Sequence, residues 1–262
     1  MTWPLKSRML AALLVTMSVS CAPTCFAQTA PADFSRLFAE QVSLKDPLSK
    51  NQVARYRSAM LAALAPLQLT PRQEFVVVID RSPGAQHLLL FLGSGPDALF
   101  IGASPVSTGA TGHLDHYLTP TGVFENSRRE DFRAQGIENE IGVRGYGRHG
   151  MRVWDFGWQP AVKGWTANGR EEIGQIRLQM HATDPSLLES HLGYRHSKGC
   201  VRIAASLNEF LDHYGVLDAS YDAAAAKRGH PPWIWGPNHV QTPYSGRFVI
   251  VLDTPSTSAP AP

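Results

Sequence analysis

The sequence is organised around residues 179–203, which read QMHATDPSLLESHLGYRHSKGCVRI. His181 closes one apolar run in this stretch, and Cys200 opens another. The polar loop between the two runs can bring the imidazole and the thiol together. A thiol acts as a nucleophile in its thiolate form, and a neighbouring imidazole is the group that usually removes its proton. The stretch therefore predicts a cysteine nucleophile with a histidine base.

The residues that flank Cys200 are of the types that acyl transfer requires. Lys198 and Arg202 bring positive charge near the thiol, which favours the thiolate. Gly199 allows the backbone to approach a substrate closely, so the amide N–H groups beside Cys200 are candidates for an oxyanion hole. Arg202 is also suited to hold a carboxylate with its planar guanidinium. Ser197, taken alone, is a turn residue that bonds the local backbone.

Three of the charged or titratable residues also have other interpretations. His181 alone is consistent with a packed strand residue, and Arg202 alone with a partner in a surface ion pair. His196 competes as the base because it lies four positions before Cys200, but we expect it to point elsewhere in the loop. The cysteine motif favours the catalytic interpretation of His181.

Composition describes a globular protein. The chain has 262 residues, enough for one large domain or for one domain with a small accessory piece. Hydrophobic residues make up 44% and charged residues 18%, which excludes disorder as a description of the whole chain. The formal net charge of +2, without any dense Lys/Arg tract, argues against nucleic acid as a partner.

Residues 1–27 have the pattern of a signal peptide. Lys6 and Arg8 form a short basic region, residues 9–19 are apolar, and Ala27 is a suitable end for the leader. The apolar run is too short for a permanent span, so we expect no integral membrane span once the leader is removed. This pattern predicts export to the periplasm or cell envelope, with a retained N-terminal anchor as the alternative.

The cysteine count makes Cys200 unusual. Cys21 and Cys25 lie inside the leader, so cleavage after Ala27 leaves Cys200 as the single cysteine of the mature protein. An exported protein with one cysteine has no internal disulfide, and its thiol is either reactive or a small buried hydrophobe.

Periodicity predicts a β-rich mixed α+β fold after a short helical segment. Residues 28–72 show helical spacing of apolar residues and are predicted to be an accessory segment. From residue 75 the pattern changes to short apolar runs with turn residues, which predicts a hairpin of 75–80 with 87–92 and further strands ending at 248–252. A helix is predicted at 207–214, and the Ser/Pro/Ala-rich residues 254–262 read as a disordered tail.

The region 125–170 is long and weakly periodic. It is either a functional loop, such as a lid or one wall of a cleft, or a set of short strands. The aromatic residues Trp154 to Trp165 either pack in the core or stack on sugar rings. His113 and His116 lack a clear third ligand, so no metal site is predicted.

The motif residues resemble the signature of the L,D-transpeptidase catalytic domain family (YkuD-type). That signature is a histidine, a loop and then Ser-x-Gly-Cys-(Ile/Val)-Arg, and His181 with residues 197–202 matches it. Residues 119–124, Thr-Pro-Thr-Gly-Val-Phe, look like the family's Thr-Pro-x-Gly-x-Phe segment, and residues 75–80 are similar to the start of the domain. The resemblance covers roughly residues 74–253, which we assign to a catalytic domain at 73–253.

The resemblance implies a β-sandwich or barrel domain that cross-links or edits peptidoglycan stem peptides without a metal or organic cofactor. Cys200 would attack the carbonyl after the third residue of a tetrapeptide stem and release the terminal D-alanine, with His181 as general base. Ser197, Lys198 and Arg202 would line the substrate site. Gly199 and Cys200 would supply the oxyanion-hole backbone. The acyl-enzyme would then pass to an amine of a neighbouring stem or to water.

The chain departs from the family pattern at three places. Ala182 stands where glycine commonly follows the histidine, Lys198 stands where histidine is often found, and the region 125–170 is longer than expected. With Lys198, any role of a second imidazole at this position is lost or moved, and the long region 125–170 concerns substrate choice more than the chemistry. Two alternatives remain: a carboxypeptidase or endopeptidase on the same scaffold, and a non-catalytic wall-binding module. Oligomeric state has no signal in the sequence.

Overall fold

The computed structural model describes residues 29–127 and 129–255. The signal-peptide prediction for 1–27 and nearly all of the tail prediction lie outside the described residues. No helix in the described ranges combines the length and the apolar character needed to cross a membrane.

Five strands form the first sheet: β1 (Phe75–Asp80), β2 (His87–Leu92), β3 (Leu99–Pro105), β4 (Gly122–Glu125) and, as the last strand of the chain, β9 (Phe248–Leu252). Their order is β3-β2-β1-β9-β4. The predicted hairpin is confirmed, since β1 and β2 pair antiparallel along their whole length. β9 returns to pair parallel with β1, so the two ends of this region lie side by side in the centre of the sheet.

Four strands form the second sheet: β5 (Phe132–Arg133), β6 (Arg152–Val162), β7 (Ile173–Ala182) and β8 (Val201–Ile203). Their order is β5-β6-β7-β8. β6 and β7 make a long antiparallel hairpin with a register shift between Asp155 and Trp158, and β7 pairs parallel with β8. The region 125–170 is therefore partly strand, whereas residues 134–151 form a connection without helix or strand.

In the described ranges, four α-helices accompany the sheets: α1 (Asp33–Gln41), α2 (Lys50–Leu64), α3 (Ala205–His213) and α4 (Ala219–Arg228). α2 begins with a capping box in which Ser49 and Gln52 satisfy each other's backbone N–H groups. The helix predicted at 207–214 is confirmed as α3, which begins two residues earlier.

The main core lies between the two sheets. Alternate residues of β1, such as Val77 and Ile79, meet Leu178 and Met180 of β7 there. The other face of β1, with Val76 and Val78, packs against α2. Both faces of β1 are thus covered, which explains its continuous apolar sequence. The β-rich mixed α+β fold class is confirmed.

Candidate active site

The register of β7 and β8 brings the predicted base and nucleophile to one place. His181 pairs with Arg202 across the two parallel strands. Cys200 immediately precedes β8, so it lies two positions from the partner of His181. The thiol of Cys200 lies against the backbone of Arg177 and Gln179 in β7, the strand that ends with His181 and Ala182. Two residues that are nineteen positions apart in sequence thus belong to neighbouring segments of one sheet.

Strand alternation determines which way these side chains face. Leu178 and Met180 of β7 belong to the core between the sheets. Arg177, Gln179 and His181 therefore point to the opposite, outer face of the second sheet. By the same alternation in β8, Cys200 and Arg202 share this outer face, because Val201 and Ile203 enter the core.

The thiol of Cys200 lies against backbone groups of β7. Its Sγ atom is 3.8 Å from the carbonyl oxygen of Arg177. Burial raises the pKa of the Cys200 thiol, and the backbone N–H of Gln179 and the charge of Arg202 offset only part of this effect. Arg202 thus acts on the thiol in the predicted direction, toward the thiolate, but burial has the larger effect on the pKa of Cys200.

His181 is buried, with 4% of its surface exposed. Its Nδ1 atom lies 2.8 Å from the carbonyl oxygen of Ala182. A carbonyl can only accept, so Nδ1 carries the proton and Nε2 keeps a free lone pair. Burial lowers the pKa of His181 to about 4, and the nearby Arg202 adds to the decrease. The imidazole is thus neutral at pH 7, in the form that a general base needs.

Ser197 and Gly199 shape the turn that presents the thiol. The Ser197 hydroxyl donates to the carbonyl of Cys200 at 2.6 Å and accepts the N–H of Gly199 at 3.0 Å. This N–H is therefore already bonded and does not point into the site as an oxyanion donor, contrary to the expectation for Gly199. Gly199 has a φ of +134°, a conformation that favours glycine.

Thr119 connects the second resembling segment to this turn. Its buried hydroxyl donates to the carbonyl of Gly199 at 2.8 Å and accepts the N–H of Gly109 at 2.9 Å. Residues 119–124 thus contact the cysteine motif directly, although they are eighty positions away in sequence.

The two predicted cations lie in different surroundings. Lys198 is exposed, and no hydrogen bond or ion pair of its side chain is found in the described part of the chain. Arg202 is partly buried, and its Nη1 atom donates to the carbonyl of His196 at 3.2 Å. Arg202 is therefore the cation that belongs to the site, since its charge acts on both Cys200 and His181.

Sequence reasoning missed Tyr146, in the irregular connection 134–151. Its ring meets the ring of His181 edge-on with centroids 4.7 Å apart. Its hydroxyl donates to Gln179 Oε1 at 3.0 Å, and Gln179 Nε2 donates to the buried carboxylate of Asp155 at 2.7 Å. This chain of contacts holds the connection 134–151 against the outer sheet face, beside His181.

The aromatic residues of β6 and the following turn divide between the core and the surface. Trp154 and Phe156 are buried in the core. Trp158 is 63% exposed and pairs with Arg177, whose carbonyl oxygen contacts the thiol of Cys200. The alternation of buried and outward-facing side chains along β7 could have identified Gln179 and Arg177 as residues on the same face as His181. Nothing in the sequence marked Tyr146, because its loop has no period.

Four of the other histidines lie in two pairs. His191 and His196 stack with centroids 4.5 Å apart, and His113 and His116 lie 5.0 Å apart. Burial lowers the pKa of His196, and the neighbouring cations add to the effect. Across residues 29–127 and 129–255, no group of three or more His, Cys, Asp or Glu is arranged to hold a metal ion.

Comparisons with known proteins give no family. No family model and no curated protein match the chain. Bd1075 of Bdellovibrio bacteriovorus is similar with 16% identity and a TM-score of 0.33, over 69% of this chain and 48% of that one. A fused Zn-dependent amidase/peptidase/peptidoglycan-binding domain-containing protein from Clostridium acetobutylicum has 16% identity and a TM-score of 0.26, over 65% of this chain and 60% of its own. The chain spans about half and three fifths of these structures, and both similarities are too weak to assign a family.

Proposed function

We propose that the protein is an exported cysteine acyltransferase of the L,D-transpeptidase type that acts on peptidoglycan stem peptides. One observation carries the proposal: a partly buried thiol and a buried, neutral imidazole with a free Nε2 share the outer face of adjacent strands. The contact between Thr119 and Gly199 supports it, because two of the resembling segments meet at the turn that holds Cys200. The pattern of residues 1–27 supports action in the periplasm or cell envelope.

The first half-reaction forms an acyl-enzyme. Cys200 Sγ attacks the carbonyl carbon after the third residue of a tetrapeptide stem while His181 Nε2 takes the thiol proton. The carbon–sulfur bond forms and the carbonyl oxygen becomes negatively charged. When this intermediate collapses, the carbon–nitrogen bond breaks and His181 returns the proton to the amine of D-alanine, which leaves.

The second half-reaction restores the thiol. An amine of a neighbouring stem attacks the thioester carbon and His181 accepts its proton. The carbon–sulfur bond breaks to give a new amide, and His181 passes the proton to the leaving sulfur of Cys200. Arg202 supplies positive charge beside the reacting atoms and is suited to hold a substrate carboxylate. The alternative is hydrolysis, in which water takes the place of the amine and only shortened stems result.

Product analysis of purified disaccharide-tetrapeptide tests the proposal. We expect the wild type to release D-alanine and to form cross-linked dimers, whereas shortened monomers alone would indicate the hydrolase. Cys200→Ala should abolish release, and His181→Ala should slow it by about 10²–10⁴-fold through loss of the general base. His196→Ala is the matched control and should remain near wild type.

Two results would contradict the proposal. Turnover by Cys200→Ala at the wild-type rate would remove the thiol from the mechanism. Binding of sacculi by a wild-type protein that releases no D-alanine would indicate a non-catalytic wall-binding module.

A further inference from the structure

Strand β6 turns one tryptophan away from the core. Strict alternation would point Trp158 inward, because Trp154 and Phe156 are buried in the core between the sheets. The register shift between Asp155 and Trp158 prevents this, since three residue steps along β6 match two along β7. Gly157 lies in this bulge at a φ of +76°, a conformation that favours glycine. The side chain of Trp158 is therefore largely exposed on the outer face.

The same face carries further apolar side chains beyond Trp158. Pro160 is exposed at the next alternate position of β6. Ile173 of β7 is 68% exposed and pairs with the half-buried Val162 of β6. We call these four residues the outer strip; it runs along the β6–β7 hairpin, away from the end of β7 that carries His181. Neighbouring exposed apolar side chains indicate a surface that contacts a ligand.

The outer strip begins one strand away from the thiol. Trp158 of β6 pairs with Arg177 of β7. The carbonyl oxygen of Arg177 is 3.8 Å from Cys200 Sγ, and Cys200 precedes β8, the other neighbour of β7. β7 therefore separates Trp158 from Cys200. Two strand spacings put the backbones of these two residues about 10 Å apart.

The polar side chains between Trp158 and the thiol are bonded to one another. Arg177 Nε and Gln179 Nε2 each donate to the carboxylate of Asp155 at 2.7 Å. Arg177 also pairs with Glu130 at 2.9 Å. A peptide that crosses β7 thus meets a fixed, paired polar surface, and the large apolar contact lies beyond it, at Trp158.

We propose that the outer strip binds the sugar of the donor, with the muramoyl ring packed on Trp158. The inference rests on the proposed function, in which three stem residues separate this sugar from the carbonyl that Cys200 attacks. An extended chain spans at most about 3.3–3.6 Å per residue, so the sugar lies about 10 Å from the thiol. That length matches the separation of Trp158 from Cys200 across β7.

The chemistry of a sugar suits this position. A pyranose ring packs its C–H face on the flat indole while its hydroxyl groups stay in water. The apolar side chains that follow along β6 are placed to contact the next sugar of the glycan. Trp158 would thus make the enzyme select stems that are attached to glycan over free peptides.

Comparison of two donors tests the proposal. One is the disaccharide-tetrapeptide, and the other is the N-acetyl tetrapeptide, which keeps the N-terminal amide but lacks the sugar. We expect the wild type to release D-alanine from the first with a kcat/KM about tenfold higher. Trp158→Ala should remove this preference by lowering kcat/KM for the disaccharide donor alone, and Trp158→Phe should keep part of it. Trp233→Ala, at a 74% exposed position elsewhere, should retain it.

Four results would overturn the proposal. Equal kcat/KM of the wild type for both donors, or an unchanged preference in Trp158→Ala, would do so while leaving acyl transfer intact. An equal decrease for both donors in Trp158→Ala would mean that Trp158 supports the thiol and not a sugar. A wild-type dimer that Trp158→Ala dissociates in analytical ultracentrifugation would assign the outer strip to a second copy of the chain. Absence of D-alanine release from both donors would contradict the proposed function, and this inference with it.

Discussion

At the scale of single residues, Cys200 and His181 are both neutral at pH 7, for one reason. Burial disfavours the charged form of each group, so it raises the pKa of the thiol and lowers that of the imidazole. A preformed thiolate–imidazolium pair is therefore not the resting state. The proton must move as the substrate is attacked, which makes the position of His181 Nε2 decisive.

The lowered pKa of His181 predicts a pH dependence of stability. An unfolded histidine has a pKa near 6.5, and the folded group has a pKa of about 4, so the unfolded state binds more protons between these values. Stability is therefore unaffected above about pH 6.5 and decreases as the pH falls toward 4, by about 3 kcal/mol for this residue. Urea unfolding at pH 7.5 and pH 4.5 measures the decrease.

The variant His181→Asn isolates this contribution. It is expected to be less stable at every pH but to lose less stability on acidification than the wild type. His149→Asn, at an exposed position, serves as control. Equal losses in the wild type and in His181→Asn would contradict the burial argument.

Tyr146 is expected to position the base. Tyr146→Phe removes the bond to Gln179 but keeps the ring edge on His181, so most activity should remain. Tyr146→Ala removes the ring that contacts His181 and should lower the rate of D-alanine release by about tenfold, because a misplaced catalytic group slows the reaction. Tyr194→Ala, a second exposed tyrosine, is the control. The same rate for Tyr146→Ala and Tyr194→Ala would mean that Tyr146 has no positioning role.

At the scale of elements, the turn between β7 and β8 depends on Gly199. A Cβ atom there would lie 2.9 Å from Ile176 Cδ1, at a φ of +134°. We expect Gly199→Ala to lower the free energy of unfolding by about 1–3 kcal/mol. Gly193→Ala, with φ +95° and open space around it, measures the backbone contribution alone.

A double variant separates the steric contact with Ile176 from the backbone strain at position 199. Ile176→Val deletes the Cδ1 atom, so the pair Gly199→Ala/Ile176→Val should recover part of the stability in urea unfolding. If Gly199→Ala unfolds at the same urea concentration as the wild type, the turn is more adaptable than the structure indicates.

Hydrophobic periodicity predicted some of the strands and not others. β1, β2 and β9 were predictable because they are buried along nearly their whole length. Each therefore has a continuous apolar sequence, which turn residues bound. β6 was not predictable, because Gly157 and Pro160 interrupt its pattern and a register shift changes which side chains face inward. The His181–Cys200 pair could be predicted from residue types, whereas Tyr146 comes from a loop whose position only tertiary contacts determine.

At the scale of the whole molecule, the N-terminal helices are part of the core. Phe34 of α1 is fully buried and packs edge-on against Phe75 of β1 and Tyr214 after α3. We expect Phe34→Ala to lower the free energy of unfolding by about 3–5 kcal/mol. Leu67→Ala, at a 44% exposed position, should change it by less than about 0.5 kcal/mol. Equal midpoints of urea unfolding would mean that α1 is a detachable segment.

Contacts with both sheets fix the turn that presents the thiol of Cys200. Thr119, which precedes β4 of the first sheet, donates a hydrogen bond to the carbonyl of Gly199, and β8, which follows Cys200, pairs with β7 at His181. Under the proposed function, acyl transfer would occur on the outer face of the second sheet, where Tyr146 contacts His181 and Trp158 pairs with Arg177.

Intact mass spectrometry of the protein after brief incubation with disaccharide-tetrapeptide tests the central claim most directly. The account predicts a covalent adduct on Cys200 whose mass equals that of the donor minus one alanine, present in the wild type and absent from Cys200→Ala. An unmodified wild-type protein in a sample that has released D-alanine, or an adduct that persists in Cys200→Ala, would contradict it.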